Sequence, residues 1–196
     1  LKGAILCIIL CIGILGLYAL TRNTVRREED LKSRLSIPSL GSIPKVRFKK
    51  RSDKSQKLVL MDQKESGKVL GETMRTIRTR LVKEAEEHGI RRILITSAAE
   101  SEGKSTVAAN FAISLAKKGK KVVLIDADLR NPSLTSVFGM EQKEKGIVDV
   151  LQGNCKAEDI LVKYQELALY LLPGNESVHN PTQLLGSDAM KALIET

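Results

Sequence analysis

Residues 3–20 read GAILCIILCIGILGLYAL, an apolar run with no charge and no proline. At about 1.5 Å per residue, an uninterrupted helix of that length just crosses a hydrocarbon core of ~30 Å. A secretory signal peptide is the competing reading, but signal peptides carry a shorter apolar core and a small-residue cleavage site. Here the run ends in TRNTVRREED, with Arg22, Arg26 and Arg27 close behind it and only Lys2 in front. The excess of positive charge after the run predicts a transmembrane helix over 1–21 with everything downstream in the cytoplasm.

The periodicity is then lost. SIPSLGSIP, residues 36–44, mixes proline, glycine and serine as a turn-rich linker does, and KVRFKKRSDKSQK, residues 45–57, is a basic run. Residues 22–66 are therefore expected to form a cytoplasmic basic linker. The run suits contact with acidic lipid headgroups at ~1 kcal/mol per basic residue, and equally suits a solvated tether.

A helical period returns at 69–87. Leu70, Met74, Ile77, Leu81 and Ala85 are spaced four, three, four and four residues apart and make one apolar stripe. Gly89 after His88 is a natural stop. Glu72, Arg75 and Arg78 recur every third residue on the same helix. At ~100° per residue, Glu72 lies opposite the stripe and Arg78 drifts toward its edge. Such a ladder is either a solvated face with weak ion pairs or a surface for another molecule. Residues 91–96 (RRILIT) and 120–126 (KKVVLID) each end in a short apolar run of the kind buried on both faces of a parallel sheet. Residues 107–118 predict a helix with Val107, Ala108, Phe111, Ala112, Leu115 and Ala116 on one face, closed by Gly119.

Composition narrows the chemistry. Lysine plus arginine is 32 and aspartate plus glutamate 23, a formal charge of +9 that calls for an anionic partner. Aromatics make up 3% and tryptophan is absent, which argues against nucleic-acid binding by base stacking. The three cysteines have no metal-ligand spacing: Cys7 and Cys11 lie in the apolar run and Cys155 stands alone. A reduced compartment without structural zinc is the expectation.

Between the first apolar run and the helix lies SAAESEGKST, residues 97–106. Strand, small-residue loop, Gly-Lys-Ser and helix together define a phosphate-binding P-loop. Gly103 lets the backbone approach phosphates, and the loop around Ser101, Glu102, Gly103 and Thr106 offers successive N–H groups to anionic oxygens. Lys104 is expected to reach the β- and γ-phosphates of ATP, and the Ser105 hydroxyl to bind Mg2+. Ala98 stands where the leading glycine of the motif usually is. Asp126 and Asp128 follow the second run, at the strand edge where open α/β sheets place ligands. Beside a triphosphate they require a cation, and a remaining carboxylate can take a proton from an attacking hydroxyl. Aspartates capping the strand end are the alternative.

TSAAESEGKST, VVLIDADLRNP, GIVDVLQGN and LYLLPGNESVHNPTQLL, in that order, resemble the bacterial tyrosine kinases of capsular and exopolysaccharide synthesis. The upstream segment REEDLKSRLSIPSLGSIP is similar to the exit of a chain-length-regulator (Wzz-like) module. The resemblance implies an α/β fold, a P-loop NTPase-like doubly wound parallel sheet, incomplete here, preceded by one transmembrane helix and a linker. Residues 67–196 would be the kinase domain. It further implies that Asp126 and Asp128 serve magnesium and the tyrosine hydroxyl, and that Glu72, Arg75 and Arg78 contact the next subunit of a ring. Autophosphorylation on tyrosine, and partners in the polysaccharide polymerase and export machinery at the cell membrane, are implied with it. Partition and septum-site ATPases, switches controlling membrane or DNA association, share the fold; Ala99 stands where they carry an extra lysine. No apolar strand ending in aspartate follows Pro173, and Tyr18, Tyr164 and Tyr170 are the only tyrosines. The chain is therefore expected to be a fragment that starts after its true N-terminus and stops before the Walker B strand and tyrosine tail.

Overall fold

The computed structural model describes residues 3, 10–14, 16, 18, 37–43 and 67–195. The chain divides into two units, Leu1–Ser42 and Ile43–Thr196. In the first, residues 10–14 are helical, with Leu10, Ile12 and Ile14 exposed. Most of the expected membrane span lies outside the described residues, as does nearly all of the expected linker. Among the described residues, no helix is long and apolar enough to cross a membrane.

The second unit begins with helix α1, Gly67–Glu87, whose stripe falls as its spacing requires: Leu70 and Met74 are buried and Ile77, Leu81 and Ala85 half-buried. All of these but Ala85 pack with Phe111, Val107 and Leu115 of helix α2, Lys104–Lys117. Helix α2 starts three residues before the apolar face does, because Gly103 takes the left-handed conformation (φ 93°) that turns the loop directly into the helix. Its other side, Ala109, Ala112, Ile113 and Ala116, covers the sheet at Leu169 and Leu171.

The sheet is formed by β1 (Val122–Ile125), β2 (Val162–Lys163) and β3 (Leu169–Leu172), in the order β1-β3-β2. Between β1 and β2 the chain forms α3 (Leu134–Phe138), α4 (Ile147–Leu151) and α5 (Ala157–Ile160). Strands β1 and β3 run parallel, Val123 opposite Tyr170, whereas β2 runs antiparallel to β3. The expected all-parallel sheet is thus corrected to a mixed one: Tyr164 N–H donates to Leu169 O (2.9 Å), closing a short β2–β3 turn that reverses the strand. Helices α6 (Pro181–Leu185) and α7 (Asp188–Glu195) follow. Met190 of α7 joins Leu129, Ile147, Val148, Leu151 and Leu172 in a second core.

The run expected as a strand at 91–96 is the larger difference. It joins no ladder, and Ile93 is 45% and Leu94 84% exposed. A buried parallel strand needs a neighbour ~4.8 Å away on the sheet. Between this run and β1 lies instead a cleft of 620 Å³, lined by Ile93 and Ile95 on one side and Val122, Val123 and Leu124 on the other, with Phe111 among its lining residues. The strand-like pattern is present; its pairing partner is not among the described residues.

Candidate active site

The phosphate loop is curled by its own carboxylate. Glu102 Oε2 accepts the N–H groups of Ala98 (3.0 Å) and Ala99 (3.2 Å). Ser101 takes a positive φ of 62° and Gly103 one of 93°. Ala98 is not among the described residues with positive φ, so its methyl group meets no backbone penalty where the motif usually has glycine. The first helical bond here runs from Val107 N–H to Gly103 O (2.9 Å). The preceding amides of Lys104, Ser105 and Thr106 have no acceptor within α2 and lie at its positive end, a ready-made anion site.

Asp126 immediately follows β1, and its N–H donates to Leu172 O (2.9 Å), extending the ladder by one rung. Its carboxylate is buried and folds the next loop around itself. Oδ2 accepts the N–H groups of Ser133 (2.7 Å) and Leu134 (2.9 Å), and Oδ1 that of Asp128 (3.3 Å). Asp126 thus holds the loop that follows β1 and the start of α3. Burial pushes its carboxyl above the usual range, against the pull of those three amides.

The two motifs meet through two contacts. Lys104 Nζ lies 2.5 Å from Asp128 Oδ2. The Asp128 hydrogen bond, with the negative charges around it, outweighs desolvation and raises the Lys104 ammonium above its ordinary value. Burial pulls the Asp128 carboxyl upward, but the Lys104 bond, the Asn131 N–H and the lysine charge together hold it below the usual range. The second contact joins the hydroxyls: Ser133 Oγ donates to Ser105 Oγ at 2.8 Å. Lys104, Ser105, Asp126 and Asp128 are therefore brought together, while Ser101 and Glu102 are exposed.

The oxygen donors available, a serine hydroxyl and two carboxylates, are the hard set that magnesium prefers. Asp126 still has an unused lone-pair site after three amide bonds, and Asp128 is balanced by a lysine that a triphosphate can draw away. The residues fit a magnesium–nucleotide.

Sequence reasoning missed Ser133. Its place before the apolar LTSVF is a helix-start signal, but nothing local reveals that it touches a residue 28 positions earlier. The ladder of α1 is split. Arg75 Nη1 pairs with Glu72 Oε2 at 2.8 Å, both well exposed. Arg78 instead turns inward and donates to both Ser114 O and Ser114 Oγ of α2, each at 3.0 Å.

A phosphate loop opening a helix, with carboxylates at the carboxyl end of an adjacent strand, defines a P-loop nucleotide-binding protein. A family profile described as an AAA domain matches residues 90–195. The chain is 40% identical over 122 residues to the tyrosine-protein kinase YwqD of Bacillus subtilis, covering 62% of this chain and 51% of that protein. The crystal structure of the chimerical protein CapA2B2 matches with a TM-score of 0.65 at 30% identity, over 85% of this chain and 68% of that one. The kinase domain of the Escherichia coli tyrosine kinase ETK shares the fold, with a TM-score of 0.75 at 24% identity over 88% of this chain and 69% of that one. The chain belongs to this AAA-domain family, and the relative YwqD is a tyrosine-protein kinase. This chain spans about half the length of YwqD.

Proposed function

We propose that the complete protein is an ATP-dependent protein-tyrosine kinase that phosphorylates its own tyrosines between neighbouring copies. We place it at the bacterial membrane, in the machinery that makes and exports capsular or exopolysaccharide. The observation that carries this reading is the Lys104–Asp128 pair, which joins the phosphate loop to the acidic pair that follows β1. The likeness to YwqD points to the same chemistry, and the exposed apolar helix at 10–14 is compatible with an anchor.

ATP is held by the first-turn amides of α2 and by Lys104, which leaves Asp128 for the β- and γ-phosphates. Ser105, Asp126 and Asp128 form the cation locus; magnesium bound there supplies charge neutralisation. Asp128, released from its lysine, accepts the proton of the incoming tyrosine hydroxyl. The phenol oxygen forms a bond to the γ-phosphorus, the bridging bond to the β-phosphate breaks, and ADP departs. Positioning and fixed charge supply most of the rate. Glu72 and Arg75 are the exposed part of the ladder through which neighbouring copies would meet; Arg78 holds α1 in place beneath them.

Lys104→Met in the complete protein is expected to abolish phosphotyrosine on incubation with labelled ATP. Retained labelling rejects the assignment. Thin-layer separation of the wild-type products, yielding free phosphate alone, would instead mark a switch ATPase.

A further inference from the structure

Ser133 touches both halves of the cation locus. Its N–H donates to Asp126 Oδ2 at 2.7 Å and its hydroxyl to Ser105 Oγ at 2.8 Å. Among the described residues it is the hydrogen-bond partner of the Ser105 side chain. We infer that Ser133 is a positioning residue that sets the orientation of the Ser105 hydroxyl and its separation from Asp126, and so tunes how tightly this site takes a divalent cation. The inference rests on the nucleotide-binding reading above.

The argument is one of lone pairs. An oxygen that gives a lone pair to a cation must turn its proton away from that cation. For Ser105 the acceptor within reach is Ser133 Oγ. A bond between two hydroxyls reverses when both C–O bonds rotate, since each group is a donor and an acceptor. In the arrangement described here Ser133 donates; with the locus charged by a cation, the same pair at the same distance runs the other way. The backbone of Ser133 cannot drift during this exchange, because Asp126 clamps its amide and that of Leu134. Partners of this kind, one step removed from the metal, typically alter affinity by about 10–100-fold.

The test uses the complete protein and a fluorescent ATP analogue, titrated with MgCl2 and separately measured in excess EDTA. Ser133→Ala is expected to raise the half-saturating magnesium concentration about tenfold, leaving affinity in EDTA unchanged. Ser133→Thr, which keeps the hydroxyl, should restore the wild-type titration. Should Ser133→Ala melt early, Ser133→Cys keeps the volume with a far weaker hydrogen-bonding group and should show the same rise. A wild-type magnesium titration in both the alanine and cysteine variants overturns the inference, as does an equal loss with and without magnesium. A wild-type protein whose nucleotide binding ignores magnesium brings down the functional reading and this inference together.

Discussion

At the scale of single residues the site is held by charge, and the two aspartates respond to pH in opposite senses. Asp128 is held below its ordinary range chiefly by Lys104. Its contribution to stability is complete above the unfolded carboxylate range and is lost as pH falls through the depressed value. Asp126 is raised by burial, so its protonated form is favoured in the fold. Its contribution is complete below the unfolded range and is lost as pH rises through the raised value. Thermal melts of wild type and Asp128→Asn from neutral to acidic pH should therefore converge as pH falls. A gap that stays constant with pH would refute the pairing as a source of stability. The loop makes a separate prediction. Glu102→Ala frees the amides of Ala98 and Ala99 and should weaken ATP binding several-fold, while Glu102→Gln keeps an acceptor and should lose less. Fluorescent-nucleotide titration checks the order.

Among the elements, α1 and α2 carry the prediction with the largest expected cost. Met74 is fully buried between them, so Met74→Ala should lower stability by about 2–5 kcal/mol in urea denaturation. Arg78 and Ser114 form one contact, so the cost of Arg78→Ala and that of Ser114→Ala should fail to add in the double variant. Additive losses would mean the guanidinium does not depend on Ser114. These helices were legible in the sequence, because a stripe from Leu70 to Ala85 is local information, and so was the loop at Gly103, where motif and context agree. The run at 91–96 reads as a strand and joins no ladder among the described residues, since its residues state an apolar preference but not whether another strand lies alongside. The antiparallel β2 was hidden because two residues are too few to carry an alternating pattern, and the hydroxyl of Ser133 because its partner lies 28 positions away. Arg78 was half legible, as its drift toward the apolar stripe foreshadowed the inward turn.

For the whole molecule, the edge of β1 that has no partner strand among the described residues, with the exposed apolar run beside it, is a surface open to other chains. Open apolar edges recruit other chains. Leu94→Lys adds charge at an exposed position and should reduce self-association measured by sedimentation velocity, with the circular dichroism spectrum unchanged. Equal association would place the sticky surface elsewhere. The Arg78 bolt has a mechanical consequence. The helix it fastens begins at Lys104, so α1 and the phosphate loop turn on a single shaft. Under the proposed function, a push on the outer face of α1 by an adjacent molecule would reach the nucleotide through α2, and the grip on the nucleotide would then gauge whether that molecule is there.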